Sequence, residues 1–403
     1  VNKAIWYISK YSSPLKYGFA SRHFYLAEEF HKLNYRTIII SSNSNHLVRI
    51  PKFAARYTRE MINGVETWWI NTIQYRGSRS IRRILSWLDF EWKLLRMPTF
   101  SLPKPDVVIV SSLSLLTIFN GYRLKKKYGA KLVFEIRDIW PLTIVEEGPF
   151  RSNNPFVKFL AWTERYGYRK ADIIVGTMPN LGGHVEAVTG TQIGCHCIPF
   201  GFKSELYDCT EPLPPGYEET YIPRGKFIVG YAGSIGRTNA LETLLRCAEQ
   251  MAEERTIHFL LVGDGDLAET YRRRIQSLNN ITIAPKIGKT QVQTFLARCD
   301  ILYFAVMNTK VWKFGQSLNK VIDYMYAGKP IIASYSGYPS MINEAGCGIF
   351  LPAEEAVALK KTIIEYAGMP GDRLREMGLR GKAWLLENRS YEKIAAAYVR
   401  LFD

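Results

Sequence analysis

The feature that most constrains this chain is an alternation, kept up twice, of short unbroken apolar runs with amphipathic stretches. Runs at 4–9, 35–41, 106–111 and 131–136 read as strands, with helices predicted at 20–33 and 113–128. A strand apolar on both faces must be covered on both, which is the pattern of a parallel sheet with helices above and below it. After Pro199-Phe200-Gly201 the pattern breaks, and Pro212, Pro214, Pro215 and Pro223 stand among acidic residues. It restarts with strands expected at 227–232, 257–262, 281–284, 300–305 and 330–334, helices at 240–253, 267–278, 291–297 and 318–327, and an all-helical end from 353. A chain of 403 residues can hold two domains with a core each. The expectation is an α/β protein of two facing doubly wound, Rossmann-like domains: 1–205, a linker at 206–224, 225–385, and a closing helix at 386–403 that packs back on the first domain. In such sheets ligands sit outside the carboxyl ends of the strands, so a cleft shared by the two domains is the expected site.

Apolar residues make up 47% and charged ones 22%, which excludes a disordered chain. The formal charge of +16 is unevenly placed: residues 1–200 carry +14 and residues 201–403 only +2. That asymmetry points the first half toward a polyanionic partner, either nucleic acid, an anionic membrane or a phosphate-bearing acceptor, unless it is solubilising charge. No zinc finger, helix-turn-helix or RNA-binding aromatic motif is present, so nucleic acid is not expected. No run reaches the roughly 18 apolar residues of a spanning helix, and the opening VNKAIWYISKYSS does not read as a signal peptide.

Between Arg76 and Arg96 a predicted helix carries two apolar stripes. Ile81, Ile84, Leu85, Leu88, Trp92 and Leu95 form the one expected to face a core. Trp87, Phe90 and Leu94, beside Arg83 and with Arg82, Lys93 and Arg96 on the polar side, form a second stripe of the kind that lies in a membrane interface. The alternative is that both stripes are buried.

The six cysteines form no CxxC framework, and the Cys195-His196-Cys197 run alternates as a strand. They fit a reducing cytoplasm. No His has a partner at metal-ligand spacing and there is no Gly-x-Ser-x-Gly elbow, so no metal or other cofactor is expected.

Three segments carry chemistry in the second half. Gly230-Tyr231-Ala232-Gly233-Ser234-Ile235-Gly236 is a strand running into glycines and a helix, where backbone N–H groups can approach an anion; it lacks the dinucleotide spacing. A second strand runs into Gly263-Asp264-Gly265, a turn that could admit a base or sugar. Between Ile301 and Ile322 there is no carboxylate, yet Lys310, Lys313 and Lys320 are present. Asp323 follows Lys320 by one helical turn, in a helix that starts near Ser317 and Asn319 and ends at Gly328. Lysines and helix N-termini there can neutralise a diphosphate while Asp323 accepts from ribose hydroxyls; a plain surface ion pair is the alternative. In the first half the loop Tyr17-Gly18-Phe19-Ala20-Ser21-Arg22 opens a helix and is expected to place backbone and an Arg in the cleft. Arg137-Asp138-Ile139-Trp140-Pro141 follows a strand end, where catalytic groups sit; a buried Arg–Asp pair is the alternative.

Taken in order, YAGSIG-x-x-x-ALETLL, LLVGDG and NKVIDYMYAGKPII resemble the landmarks of the GT-B glycosyltransferases of family 4. FEIRDIWP and WTERYGYRKADIIV resemble a subgroup that adds N-acetyl-fucosamine-type sugars (FucNAc, QuiNAc) to O-antigen or capsule repeats. The resemblance spans essentially the whole chain. It implies a retaining, metal-independent transferase that moves an N-acetylated deoxyhexosamine from a UDP-sugar to a polyprenyl-diphosphate-linked saccharide, peripherally on the cytoplasmic side of an inner membrane. It makes Asp323 the ribose-holding acid, although the family's first acid falls on Gly315 and its basic pair on Ser234 and Asn239. Phosphate handling then goes to Lys320 with the backbone of Gly233 to Gly236. Gly263 and Asp264 form the nucleotide turn, Pro285 and Lys286 reach the base, and Ser317 and Asn319 lie at the donor. Gly18 and Arg22 approach the donor phosphates, Tyr17 and Trp140 the acceptor, and Arg137 and Asp138 the reacting centre. The rival readings are a UDP-sugar 2-epimerase and a non-catalytic nucleotide-sugar or lipid-binding protein.

Overall fold

The computed structural model describes residues 3–18, 21–45, 48, 50–75 and 81–402, with two compact units, Val1–Gly201 plus Tyr391–Asp403 and Phe202–Ser390. Phe19, Ala20 and residues 76–80, which belong to two of the segments singled out above, lie outside the described residues, as does the Ile81 side chain.

The first unit is built on an eight-stranded sheet: β1 (Ala4–Ile8), β2 (Arg36–Ser42), β3 (Tyr57–Ile62), β4 (Val65–Ile70), β5 (Val107–Ser111), β6 (Lys131–Ile136), β7 (Ile173–Gly176) and β8 (Cys195–Cys197). Its order is β3-β4-β2-β1-β5-β6-β7-β8, parallel except at β3–β4. Every residue of β1 and β5 is buried, as two-sided coverage requires. β3 and β4 form a hairpin that the apolar runs did not announce. Its two-residue turn, Asn63-Gly64, has positive φ at both positions (48° and 79°), the geometry a tight hairpin favours.

Helices α1 (Arg22–Lys32), α2 (Ile81–Leu95), α3 (Thr117–Tyr128), α4 (Leu142–Glu146) and α5 (Pro155–Lys170) connect these strands. α3 and α5 press on the sheet through glycines: a Cβ at Gly121 would stand 2.6 Å from Val110, and one at Gly167 2.5 Å from Phe134. The last helix, Tyr391–Val399, packs on α1, and Tyr391, Ile394 and Tyr398 join the core of the first unit. The helix before it, Gly371–Asn388, belongs to the second unit.

The orientation of α2 corrects the sequence expectation. Trp87, Phe90 and Leu94, expected at a membrane, are buried, whereas Leu85, Leu88, Trp92 and Leu95 are exposed. The polar groups that made the first set look interfacial find partners inside the unit. The Trp87 indole donates to Tyr11 Oη at 2.5 Å, Arg83 stacks over Trp87, and Lys93 donates to the Asn71 carbonyl and Asp89. Arg82 and Arg96 remain on the surface.

The second unit carries six parallel strands, β9 (Phe227–Ala232), β10 (Ile257–Val262), β11 (Ile281–Ala284), β12 (Ile301–Ala305), β13 (Ile331–Ser334) and β14 (Gly348–Leu351). Their order is β11-β10-β9-β12-β13-β14, so the winding direction reverses between β9 and β12. The expected linker is instead docked on this unit. The Glu211 and Pro212 carbonyls accept from Thr294 and Gln291, and the Tyr217 hydroxyl donates to the Pro285 carbonyl at 2.7 Å.

Candidate active site

Where the winding reverses, the ends of adjacent strands diverge and leave room for a ligand. β9 runs there into Gly233, and β10, its neighbour on the side away from β12, runs into Gly263, with φ of +155° and +156°. The two turns lie backbone on backbone: Gly233 N donates to Val262 O at 3.0 Å and Ile235 N to Asp264 O at 2.9 Å. A Cβ at Gly263 would fall 1.8 Å from the Gly233 carbonyl, so no side chain fits at Gly263. Beside these turns opens a cavity of about 550 Å³, lined in part by Gly233, Ser234, Gly263, Asp264, Lys286 and Asp323. Six residues expected at a donor thus share one cavity within the second unit.

Helix Asn319–Tyr326 follows β12 and is tied to the end of β9, since Ala232 N donates to Tyr324 Oη at 3.0 Å. This brings Lys320 to the first glycine turn. Its ammonium donates to Tyr231 Oη at 3.1 Å and Asn239 Oδ1 at 2.5 Å, and stands 3.5 Å from where a Gly233 Cβ would be. No carboxylate pairs with it among the described residues. Burial pushes its pKa down to about 8.

Asp323, one turn on, is buried and accepts from Lys289 Nζ (2.8 Å to each oxygen) and from Tyr207 Oη (2.8 Å). Sequence reasoning missed both partners. Lys289 follows Lys286 closely, but Tyr207 comes from the stretch read as linker. Gly315, where the resemblance expects an acid, has φ +102°, a conformation that disfavours a side chain. Gly236, Pro285, Ser317 and Asn319 do not line the cavity, and neither does Lys320, which stands beside it at the first glycine turn. Gly236 caps the short helix after the turn, and Pro285 serves Tyr217.

In the first unit Arg22 is a correction. Its side chain is fully buried, lies 3.3 Å from Glu135 and donates twice to the Ile198 carbonyl at 3.1 Å, so it is committed to the core. Glu135 also accepts from Tyr7 and Tyr398 at 2.8 Å. Burial alone would raise its pKa, but Arg22, His23, a hydrogen bond from Ser111 and Arg137 override it and hold the group at about 2. Tyr17 is bound to Glu60 of β3, and Gly18 closes its short turn with φ +107°.

Asp138 and Arg137 follow β6 without forming an ion pair. The Arg137 guanidinium lies over Phe200 and 3.5 Å from His23 Nε2, while its backbone N–H donates to Ser112. Nothing among the described residues hydrogen-bonds the Asp138 carboxylate. Burial raises its pKa against the pull of Arg137. Trp140 meets Trp87 edge-on at 5.6 Å. The Cys195 thiol is pushed up to about 12 by burial, and no group of three metal-ligating side chains gathers among the described residues.

Residues 226–368 match the glycosyl transferases group 1 family. A probable glycosyltransferase of Pseudomonas aeruginosa, WbjE, is 24% identical over 305 residues, 72% of each chain. Among solved structures, sucrose-phosphate synthase of Thermosynechococcus elongatus has a TM-score of 0.71 at 17% identity, covering 99% of this chain and 98% of its own. The trehalose-6-phosphate protein of E. coli, bound with UDP-2-fluoro glucose, has 0.73 at 9% (100% and 99%). Anabaena HepE, in complex with UDP and glucose, has 0.63 at 12% (98% of each). At these identities the structures establish the fold, which is GT-B.

Proposed function

We propose that this chain, a GT-B glycosyltransferase of the group 1 type, is a retaining, metal-independent enzyme. It moves an N-acetylated deoxyhexosamine from a UDP-sugar to a polyprenyl-diphosphate-linked saccharide of an O-antigen or capsule repeat, at the cytoplasmic face of an inner membrane. The observation that carries this reading is the Lys320 ammonium, held at a glycine turn with neutral partners and no counterion among the described residues. A buried cation is costly unless an anion completes it, and the diphosphate of a UDP-sugar is such an anion.

The chemistry follows from that placement. The sugar C1–O bond breaks and the electron pair stays on the departing diphosphate, whose growing charge Lys320 and the backbone N–H groups of the glycine turn stabilise. The acceptor oxygen bonds to C1 on the same face. Its proton passes to a phosphate oxygen of the leaving group, and Asp138 orients the hydroxyl. Asp323 takes the ribose hydroxyls in place of Lys289, whose side chain is 69% exposed and so weakly held. Pairs of glycine turns and an acid at this spacing, together with neighbours solved with UDP or a UDP-sugar, support uridine as the nucleotide.

The test is thermal shift against nucleoside diphosphates and UDP-sugars, with and without EDTA, followed by turnover on a lipid-linked acceptor. Stabilisation by UDP that survives EDTA, with transfer of one amino sugar, is expected. No response to any uridine nucleotide, or UDP binding without transfer to any lipid acceptor, overturns the reading.

A further inference from the structure

α2, α3 and α5 lie side by side against one face of the first sheet. α2 meets α3 through Glu91, which accepts from Thr117 and Asn120, and α3 meets α5 through Phe119, stacked on Trp162 at 5.7 Å. The outward sides of α2 and α5 are unusually apolar. Leu88 is 52%, Trp92 54% and Trp162 55% exposed, and Phe100, just past α2, is 91% exposed. Single exposed apolar residues need no explanation, but a group of them on α2 and α5, the two helices that flank α3, does.

The charge on the same layer is one-sided. The three helices carry 11 Lys and Arg against 3 carboxylates. The three acids are turned inward or paired: Asp89 with Lys93, Glu91 with α3, and Glu164 buried beside His184. The cations collect toward the helix C-termini, which share one edge because each helix returns from one parallel strand to the next. Arg96 stacks on Trp92 at 4.2 Å, and Lys126 and Lys170 both lie over Tyr122 at 5.6 Å. Aromatic rings with cations stacked on them, bordering an exposed apolar row, match the interface of an anionic bilayer, where apolar groups enter the headgroup boundary and ammonium groups stay with phosphate.

We propose that the outer layer of α2, α3 and α5 docks on an anionic lipid bilayer, through Leu88, Trp92 and Trp162 with Arg96, Lys126 and Lys170 as their charged border. The docking face is therefore the opposite side of α2 from the Trp87 stripe. It gives the lipid-linked acceptor of the proposed function its place, and its meaning rests on that reading, though the binding itself does not.

The experiment is co-sedimentation of the whole chain with vesicles of phosphatidylcholine alone or with phosphatidylglycerol added. Binding only to the anionic vesicles, weakened by salt, is expected. L88S/W92S and, separately, W162S should each weaken it about tenfold, with the circular dichroism spectrum kept; W162S also gives up the Phe119 stack, so its binding is read well below its lowered melting temperature. Trp87→Phe is buried and should not weaken it. Binding left unchanged by the outward substitutions overturns the proposal, as does a dimer in sedimentation velocity that those substitutions abolish. Vesicle binding in a chain that ignores every UDP-sugar would sustain this surface while removing the donor reading.

Discussion

The ammonium of Lys320 is held by the amide oxygen of Asn239, 2.5 Å away, and not by a carboxylate. Asn239 stands where the resemblance expects a second cation. One cation therefore reaches the glycine turn from helix Asn319–Tyr326, and a neutral amide aims it without cancelling its charge.

Replacing Lys320 by Met should separate stability from activity. It removes a buried charge that has no counterion among the described residues, so the melting temperature should hold or rise. Turnover should fall about 10²- to 10³-fold, the usual loss on removing one group that stabilises a developing anion. Scanning calorimetry beside initial rates with saturating donor checks both halves. A large loss of melting temperature with normal rates would mean that Lys320 is structural.

Donor binding should weaken above pH 8. The pKa of Lys320 in the folded chain is about 8, against an ordinary 10.5. Below 8 the group is charged and ready for diphosphate; above it, binding must also take up a proton. The dissociation constant for UDP should then climb toward tenfold per pH unit, and the slope should vanish in K320M. The stability contribution has the opposite sense, since the unfolded chain holds this proton up to 10.5 and stability gains between 8 and 10.5. Calorimetric titrations in buffers of different ionisation enthalpy count the proton directly.

At Asp323 the two partners should behave differently. Asp323→Asn is expected to raise the donor KM about 10- to 100-fold, the range for losing charged hydrogen bonds to hydroxyls, with little change in kcat. Lys289→Ala should leave the donor KM within about threefold, because ribose displaces Lys289 on binding. Equal losses in the two variants would make the Lys289–Asp323 contact part of the bound state.

Arg22→Ala should act on folding and not on donor KM. It strands the buried Glu135, at a cost of about 3–5 kcal/mol. In the intact chain Glu135 has its pKa near 2 against an ordinary 4.5, so its contribution is complete above 4.5 and is lost as the pH falls toward 2. Urea unfolding at pH 7 and pH 3 measures both effects.

What could be read from the sequence was what is local. The glycine turns at Gly233 and Gly263 and the helix carrying Lys320 and Asp323 lie within a few residues of a strand end, so strand-turn-helix order placed the turns and Asp323 on one cavity, with Lys320 against the first turn. What depends on distant partners was not legible. Tyr207 reaches Asp323 from 116 residues away. Arg22 begins a helix beside a glycine loop, as a cleft residue would, yet Glu135 and Ile198 hold it in the core. The face α2 buries was decided by Tyr11, whose hydroxyl satisfies Trp87; periodicity finds stripes but not which one meets a partner. The β3–β4 hairpin escaped because Arg59 and Glu60 break its apolar run.

The most direct test of the account is isothermal titration of UDP into the intact chain and into K320M at pH 7, both in EDTA. One metal-independent site per chain is expected, with affinity lost at least tenfold in the folded variant. Equal affinity in the two proteins, or no UDP binding to either, would contradict it.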